Sequence, residues 1–332
     1  TGSYGLTVTD AAGCTIDTTL EVAVCGAESP VWPGDTDSSG LVNHYDLLPI
    51  GLGYGLEGPA REQASLAWLA QPAFRWAAAT PQSQVNYKFA DADGNGRIEA
   101  ADTLAIAAHW GQVPEAGGAE LAASPAAAAI GFFVDGRTLR PGETAALPII
   151  LGGAGQEVKG AYGIAFSITY DSLAILPETI LATFEDSWLG DPDSTLLLIQ
   201  RNHTDEHRLD LALVRNDRQT IDGSGSIAHL NFRTASAVPG GASLYNLSFQ
   251  IETVRLIDNG EQLLGLTPQA TTATLEGASS VNDPALLRHL RLYPNPAGER
   301  VRLETGGLTG QRIEHVATDG RRLQVWNAGG EL

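Results

Sequence analysis

Residues 91–102 read DADGNGRIEAAD and decide how this part of the chain should fold. The segment places oxygen donors at alternating positions, then a glycine, and ends on an acid: Asp91, Asp93, Asn95, Gly96 and Asp102. Like charges confined to one short turn repel one another unless a counter-charge neutralises them. Because this order is more regular than a solvated loop requires, the segment predicts a bound cation.

A second copy begins 56 residues upstream, at residues 35–46 (DTDSSGLVNHYD). Both copies have oxygen donors at positions 1, 3, 5, 9 and 12, glycine at position 6 and a backbone carbonyl at position 7. The predicted ligands are Asp35, Asp37, Ser39, Leu41, Asn43 and Asp46 in the first loop, and Asp91, Asp93, Asn95, Arg97, Glu99 and Asp102 in the second. This is the spacing of EF-hand calcium loops. It predicts two calcium ions, and a pair of acidic β-turns is the alternative.

A short apolar stretch follows each loop, DLLPIGLGYG after the first and DTLAIAAHWG after the second. Each predicts a short helix that stops at an aromatic–glycine pair, with Gly55 and Gly111 as the stop residues. The proline and two glycines inside the first stretch make its helix the weaker one. Position 8 of the loops is apolar, Val42 and Ile98, as expected if the loops back onto a shared core.

With aspartate at position 12 and no helix before either loop, residues 29–111 resemble a type I dockerin. The resemblance implies a small α-helical calcium-binding domain and a cohesin as its protein partner. The chain departs from that family in a long insert, residues 56–90, whose aromatic residues are Trp68, Phe74, Trp76, Tyr87 and Phe89. These aromatics either pack over the helices or form or mask a docking surface.

After an Ala/Gly/Pro linker at residues 112–129, hydrophobic residues alternate with period two, as in β-strands. The stretch AYGIAFSITY places one set of side chains on one face: Tyr162, Ile164, Phe166, Ile168 and Tyr170. RLDLALV does the same with Leu209, Leu211 and Leu213. On the motifs RPGETAALPIIL, SITYDSLAIL and DGSGSIAHLNFRT, residues 130–279 resemble a cohesin β-sandwich; an unrelated jelly-roll or Ig-like sandwich is the alternative.

The two ends carry weaker resemblances. Residues 1–28 are similar to the end of an Ig-like or PKD-type repeat, and their cysteines, Cys14 and Cys25, are either a disulfide or two unrelated thiols. Residues 280–332, with Tyr293-Pro-Asn-Pro, resemble the start of the sorting domain of type IX secretion. This implies a Bacteroidetes protein at the outer cell surface or outside the cell. We expect the chain to be a piece of a longer, processed polypeptide.

Composition narrows the function classes. The 332 residues include 20 Lys and Arg against 39 Asp and Glu, a formal net charge of −19 that argues against nucleic-acid partners. No apolar run reaches the roughly 20 residues of a transmembrane helix. The fold class we predict is multidomain and mainly β, with Ig-like or jelly-roll sandwiches plus the small α-helical dockerin-like domain.

Catalytic motifs such as GxSxG, a phosphate loop or HExxH are absent, so we expect no enzyme. His203 and His207 are spaced as possible metal ligands but fall in a polar turn. The acids of FEDSWLGDPDS are spaced as possible glycosidase carboxylates but are more typical of turns: Glu185, Asp186, Asp191 and Asp193.

The prediction is therefore a calcium-stabilised structural or adhesion segment. A dockerin-like and a cohesin-like module on one chain pair either within that chain, giving a rigid monomer, or between copies, giving an open filament. The alternatives are an accessory region of a secreted polysaccharide-degrading enzyme or cellulosome-like complex, and carbohydrate binding on the sandwich face.

Overall fold

The computed structural model describes the following residues: 2–22, 29–114, 123–126, 131–277, 291–293, 302–304, 312–316 and 322–327. Within this part of the chain the structure is mainly β, and its two α-helices are short. No helix among the described residues has the length and apolar character needed to cross a bilayer.

Short hairpins lie at both ends. Strands β1 (Gly2–Thr9) and β2 (Thr15–Val22) pair antiparallel at the N-terminal end. Cys14 is exposed in the turn that joins them, and Cys25 lies outside the described residues, so the disulfide stays a prediction.

The C-terminal strands form two further antiparallel pairs, β16 with β17 and β18 with β19. Their bounds are Arg291–Tyr293, Arg302–Glu304, Arg312–Val316 and Arg322–Asn327. The two pairs fit the predicted alternating strands. Most of the predicted sorting segment, including Pro294 to Pro296, lies outside the described residues.

Residues 29–114, which we call the acidic-loop module, contain both loops and both helices. Each loop runs into one turn of 3₁₀-helix and then a seven-residue α-helix, α1 (Leu47–Gly53) or α2 (Thr103–His109). The predicted stops are confirmed, since Gly55 (φ 76°) and Gly111 (φ 79°) adopt the left-handed conformation that glycine favours. Most of the module is irregular, so it is less helical than the predicted fold class.

The two halves of the module exchange backbone hydrogen bonds at position 8 of each loop. The Ile98 N–H donates to the Leu56 carbonyl (3.0 Å), and the Gly55 N–H donates to the Ile98 carbonyl (2.8 Å). In the other half, Val42 pairs in the same way with the residues that follow α2. Val42 and Ile98 are fully buried, which confirms that both loops back onto a shared core.

Residues 131–277 form a β-sandwich. Its strands are β3 (Gly131–Val134), β4 (Thr138–Leu139), β5 (Thr144–Leu151), β6 (Val158–Ala161), β7 (Gly163–Tyr170), β8 (Leu181–Thr183), β9 (Leu196–His203), β10 (Arg208–Arg215), β11 (Ile221–Gly223), β12 (Gly225–Arg233), β13 (Leu244–Ile257), β14 (Thr267–Pro268) and β15 (Thr271–Glu276). One sheet has the order β4-β15-β13-β7-β10-β9 and the other β14-β3-β5-β12-β8. A single apolar core lies between them.

Strand alternation predicts most of this core. Leu209, Leu211 and Leu213 of β10 face it as expected. The face predicted for AYGIAFSITY is confirmed for Ile164, Phe166, Ile168 and Tyr170 but is wrong for Tyr162, which does not face the sandwich core. Tyr162 precedes β7 and packs against the acidic-loop module, because the outer face of this sheet is covered as well.

Strand β13 contains a bulge that reverses its alternation. Leu247, Phe249 and Ile251 face the sandwich core, and so do Val254 and Leu256, three and five residues after Ile251. The register with β7 shifts between Glu252 and Arg255. The extra residue, Thr253, has a φ of 50° and its carbonyl accepts a hydrogen bond from the Tyr45 hydroxyl of the acidic-loop module.

Helix α1 lies on the outer face of β7 and β10 and shares a second core with it. The buried members of this core are Val42, Leu47, Leu48, Ile50, Trp76, Tyr87, Ala90, Ile98 and Ile106 from the module, and Tyr162, Ala165, Leu197, Ala212, Val214 and Ile257 from the sandwich. A Cβ placed on Gly51 would lie 2.2 Å from Val214 Cγ2, so glycine is required for this approach. The Tyr162 hydroxyl donates to the Gly51 carbonyl (2.8 Å).

The insert and part of the linker are also ordered against their surroundings. Trp76 and Tyr87 of the insert are buried in the shared core, as the packing alternative predicted, whereas Phe74 is 68% exposed. In the linker, the Ser124 N–H donates to the Val254 carbonyl (2.9 Å) and its hydroxyl accepts from the Leu256 N–H (2.8 Å). This part of the linker therefore lies along β13.

The close fit at Gly51 predicts that alanine at this helix position destabilises the protein instead of stabilising it. Glycine to alanine inside a helix is normally stabilising by up to about 1 kcal/mol. Here Gly51→Ala should lower the free energy of unfolding by about 1–3 kcal/mol, because the methyl group overpacks the contact with Val214. Urea unfolding in calcium measures this. Gly153→Ala, whose Cβ would meet only Gln156 Oε1 at 3.8 Å, is the matched control. A Gly51→Ala protein as stable as wild type would contradict the packing described.

Candidate metal centre

The first loop brings its three aspartates together. One carboxylate oxygen from each of Asp35, Asp37 and Asp46 lies within 4.8 Å of the other two. Backbone N–H groups hold them in place. Asp46 accepts from the N–H groups of Thr36 (2.7 Å) and Asn43 (2.7 Å), and Asp35 accepts from Gly40, the position-6 glycine, at 3.2 Å.

The other predicted donors of the first loop flank this cluster. The Ser39 hydroxyl lies 3.3 Å from the Leu41 carbonyl, so the donors at positions 5 and 7 are adjacent. The Asn43 side chain caps the following 3₁₀ turn by accepting from the Tyr45 N–H (2.8 Å). Leu41 is 41% exposed, as suits a residue that would contribute only its carbonyl.

The second loop repeats this arrangement with Asp91, Asp93 and Asp102, whose oxygens also lie within 4.8 Å of one another. Asp102 accepts from the N–H groups of Asp93 (3.1 Å) and Glu99 (2.8 Å). Asp91 accepts from Gly96 at 3.2 Å, which is the counterpart of the Asp35–Gly40 bond.

At the remaining positions, the side-chain Oδ1 of Asn95 accepts from the Arg97 N–H (2.8 Å), and Asn95 Nδ2 donates to Glu99 Oε1 (3.4 Å). The Arg97 side chain pairs with Glu99 (3.7 Å). The structure therefore brings the three predicted aspartates of each loop together, and the other six predicted ligands remain a prediction.

Burial makes these clusters electrostatically unfavourable without a counter-charge. Loss of solvent, followed by repulsion from Asp37, raises the pKa of Asp35 to about 6. Burial likewise raises the pKa of Asp91 to about 6 and that of Asp102 to about 7. The pKa of Asp46 is raised well above its ordinary value by burial and by the other two carboxylates of its loop.

Two arginines beside the loops were not identified from the sequence. The Arg61 guanidinium, from the insert, donates to the carbonyls of Asp91 (2.6 Å) and Ala92 (2.7 Å) and is buried. Arg255, from β13, lies 3.9 Å from the Asp37 carboxylate. Both are far in sequence from the loop they approach, and no local pattern marks either of them.

The donor set fits calcium. It consists of carboxylate, amide, hydroxyl and carbonyl oxygens, the ligands of a hard cation, and it contains no sulfur or imidazole. Three carboxylates in each cluster would supply the negative charge that offsets the cation. Bound calcium would hold each loop against the first turn of its helix, because the position-12 aspartate sits at that helix start.

The other candidate sites form no comparable cluster among the described residues. His203 ends β9, and its Nε2 lies 2.9 Å from Asp210 Oδ2, whereas His207 lies in the turn before β10. The acids of FEDSWLGDPDS are exposed, all four of them: Glu185, Asp186, Asp191 and Asp193. Asp191 accepts hydrogen bonds from its own turn, as the turn interpretation predicts.

Comparisons with known proteins give similarity of structure only. No protein-family model and no curated protein matches the chain. A chain of a type I cohesin–dockerin complex from Clostridium thermocellum is similar at 16% identity, with 48% of this chain and 98% of that chain covered and a TM-score of 0.39. A type II cohesin domain from the cellulosome of Acetivibrio cellulolyticus is similar at 13% identity (46% and 95% covered, TM-score 0.34). A non-cellulosomal cohesin from the archaeon Archaeoglobus fulgidus is similar at 14% identity (48% and 97%, TM-score 0.31).

Neutralising one position-12 carboxylate should remove one calcium site. Titration calorimetry of the wild-type chain should give two ions per chain. Asp102→Asn should weaken one of them by more than about tenfold, the range reached even by substitutions outside the ligand shell. Asp193→Asn removes the same charge from an exposed turn and should leave both ions bound. Two unchanged sites in Asp102→Asn would contradict the assignment.

The raised pKa values predict opposite pH trends with and without calcium. In EDTA, the folded chain holds protons on Asp35, Asp91 and Asp102 that the unfolded chain has lost above its ordinary aspartate pKa of 3.8. The stability of the metal-free chain should therefore fall as pH rises from about 4 to about 7. Calcium requires the deprotonated groups, so the melting-temperature gain from calcium should grow between pH 5 and pH 7.5. A gain that does not vary with pH would show that these carboxylates are not the ligands.

Proposed function

We propose that this chain is a non-catalytic, calcium-stabilised segment of an extracellular structural or adhesion protein. In it, a dockerin-like module (the acidic-loop module) docks onto a cohesin-like sandwich of the same chain. The observation that supports this best is the shared core between helix α1 and the outer face of β7 and β10. Calcium orders the loops, the loops set α1 in place, and α1 fills the sandwich face.

Polar contacts surround this shared core on several sides. Arg218 of the sandwich donates to the Tyr54 carbonyl at the end of α1 (2.8 Å). The Arg255 guanidinium stacks on the Tyr45 ring, 4.2 Å from its centroid. Such a contact, apolar at the centre and polar at the rim, has the character of a protein–protein interface.

Pairing within one chain is the form that we favour over a filament. The face of the sandwich that a second copy would need is occupied by the chain's own α1. A tethered module is present at a high effective concentration, which favours the internal contact. We therefore propose a rigid monomeric unit, with assembly between copies as the competing outcome.

Secretion by the type IX route and display at the outer cell surface of a Bacteroidetes cell belong to the same proposal. They are supported by the Tyr293-Pro-Asn-Pro296 motif. The second candidate is an accessory region of a secreted polysaccharide-degrading enzyme or cellulosome-like complex, in which the same docked pair would be a spacer. The sequence of the full-length protein distinguishes the two, because the second requires a catalytic domain elsewhere in it.

Cleaving the linker tests whether the two modules hold together without a covalent connection. A protease site placed between residues 114 and 123 should yield two fragments that co-elute at the mass of one chain in calcium. In EDTA the fragments should separate, because the loops no longer hold α1 against the sandwich. Analytical ultracentrifugation of the nicked chain measures both states. Nicked Gly51→Ala chain provides a reference in which the contact is weakened.

Two results would contradict the proposal. Fragments that separate in calcium would show that the modules do not form a pair. A sedimentation coefficient of the uncut chain that rises with concentration, and returns to the monomer value in EDTA, would show that the pairing occurs between copies.

A further inference from the structure

The insert makes a contact with the sandwich that is separate from that of helix α1. Glu261, in the turn after β13, accepts three hydrogen bonds from residues 82–83 of the insert. Its Oε2 accepts from the N–H groups of Gln82 (2.7 Å) and Ser83 (2.9 Å), and its Oε1 accepts from the Ser83 hydroxyl (2.6 Å). Two of the three donors are backbone groups, so the carboxylate recognises the shape of the turn as well as the serine.

The backbone that carries this carboxylate is held in place by its own turn. The Asp258 side chain accepts from the N–H groups of Gly260 and Gln262 (both 2.8 Å), and the Asp258 N–H donates to the Gln262 carbonyl (3.1 Å). Glu261 itself is held at a φ of 60°, a conformation that non-glycine residues seldom adopt. A backbone that is already held in place loses little conformational entropy on docking.

The donor side is equally well defined. In the insert turn, residues 80–85, the Thr80 N–H donates to the Val85 carbonyl (2.8 Å), and the Val85 N–H donates to the Thr80 hydroxyl (2.9 Å). Next to it, the buried Asn86 amide donates to the carbonyls of Trp76 (3.0 Å) and Ala78 (3.1 Å). The turn is therefore presented at a fixed position above the shared core that Trp76 enters.

From this contact we infer that the insert turn and Glu261 determine which module the sandwich accepts. The inference rests on the proposed pairing of the two modules and explains how the sandwich would distinguish one module from another. The partner is a module that carries this insert, whether in the same chain or in another copy. A dockerin-like module without the insert still offers an apolar helix, but it leaves the Glu261 carboxylate without three donors. Selection works through the three hydrogen bonds that only a module with the insert turn can donate, and these bonds are strengthened because their acceptor is a carboxylate.

A double-mutant cycle in the nicked chain tests the contact. The cycle compares three variants with the wild-type chain: Ser83→Ala, Glu261→Gln and the double variant. The quantity measured is the dissociation rate of the two fragments in calcium, followed as exchange of a labelled sandwich fragment for an unlabelled one. Each single substitution should raise the rate by about tenfold, since interface substitutions act mainly on dissociation. The double variant should be no faster than the quicker single variant. Glu252→Gln, an exposed glutamate on β13, should change the rate by less than about twofold.

A competition measures specificity directly. Full chains whose residues 81–84 are replaced by a Gly/Ser linker are nicked and mixed with nicked wild-type chains. Wild-type sandwich should prefer the intact insert by about tenfold, and Glu261→Gln sandwich should show no preference.

The outcomes separate this inference from the proposed function. Fragments that stay together in calcium, but whose rates combine additively in the cycle and whose sandwich shows no preference for the insert, would overturn the specificity role alone. Wild-type fragments that separate in calcium would overturn the pairing and its specificity together.

Discussion

Everything in the acidic-loop module depends on two clusters of three aspartates that have little access to water. Burial is the main cause of the raised pKa values of Asp35, Asp46, Asp91 and Asp102, and repulsion from neighbouring carboxylates adds to it. A cluster of this kind is unfavourable as a charged set and becomes favourable around a divalent cation. Since the last acid of each cluster sits where a helix begins, the cation would also decide whether that helix is in place. The electrostatics of the loops and the packing of the helices are therefore coupled.

The packing of α1 then explains features of the sandwich that its own core does not require. Strands β7 and β10 bury side chains on both faces, and Ala165 and Ala212 keep their outer face shallow enough for a helix. Gly51 has no side chain, which leaves room for Val214 to pack against the helix backbone. Small residues lie on both sides of the contact, and the hydroxyls of Tyr162 and Tyr45 are hydrogen-bonded across it, so the two surfaces fit each other in detail. In this sense the acidic-loop module and the sandwich are packed together around two cores.

Local patterns predicted the parts of this molecule that local physics determines. The convergence of three aspartates in each loop, the glycine that stops each helix, and the inward face of β10 each depend on residues within one or two turns of chain. The insert was predictable only as a pair of alternatives, because its aromatic residues fit either a core or an exposed surface until the neighbouring elements are known.

The contacts between modules could not be predicted in the same way. Glu261 and Ser83 are separated by 178 positions, and Arg255 lies far along the chain from Asp37. A single glutamate in a turn or a single arginine in a strand has no periodicity that indicates its partner. Tyr162 was assigned to the wrong face for a related reason. Alternation gives two faces but does not say where a strand begins, nor that the second face is also covered.

The bulge in β13 has a consequence for how this strand tolerates changes in length. The residues before and after it face the sandwich core in the order that a continuous strand would give if Thr253 were deleted, and the pairing with β7 would then run without interruption. Within the sheet the extra residue makes one side-chain hydrogen bond, from its hydroxyl to that of Ser167 on β7 (3.2 Å). Its carbonyl reaches the tyrosine of the neighbouring module. A homologue whose sandwich stands alone would be free to lose this codon, whereas a homologue with a docked module would be under selection to retain it.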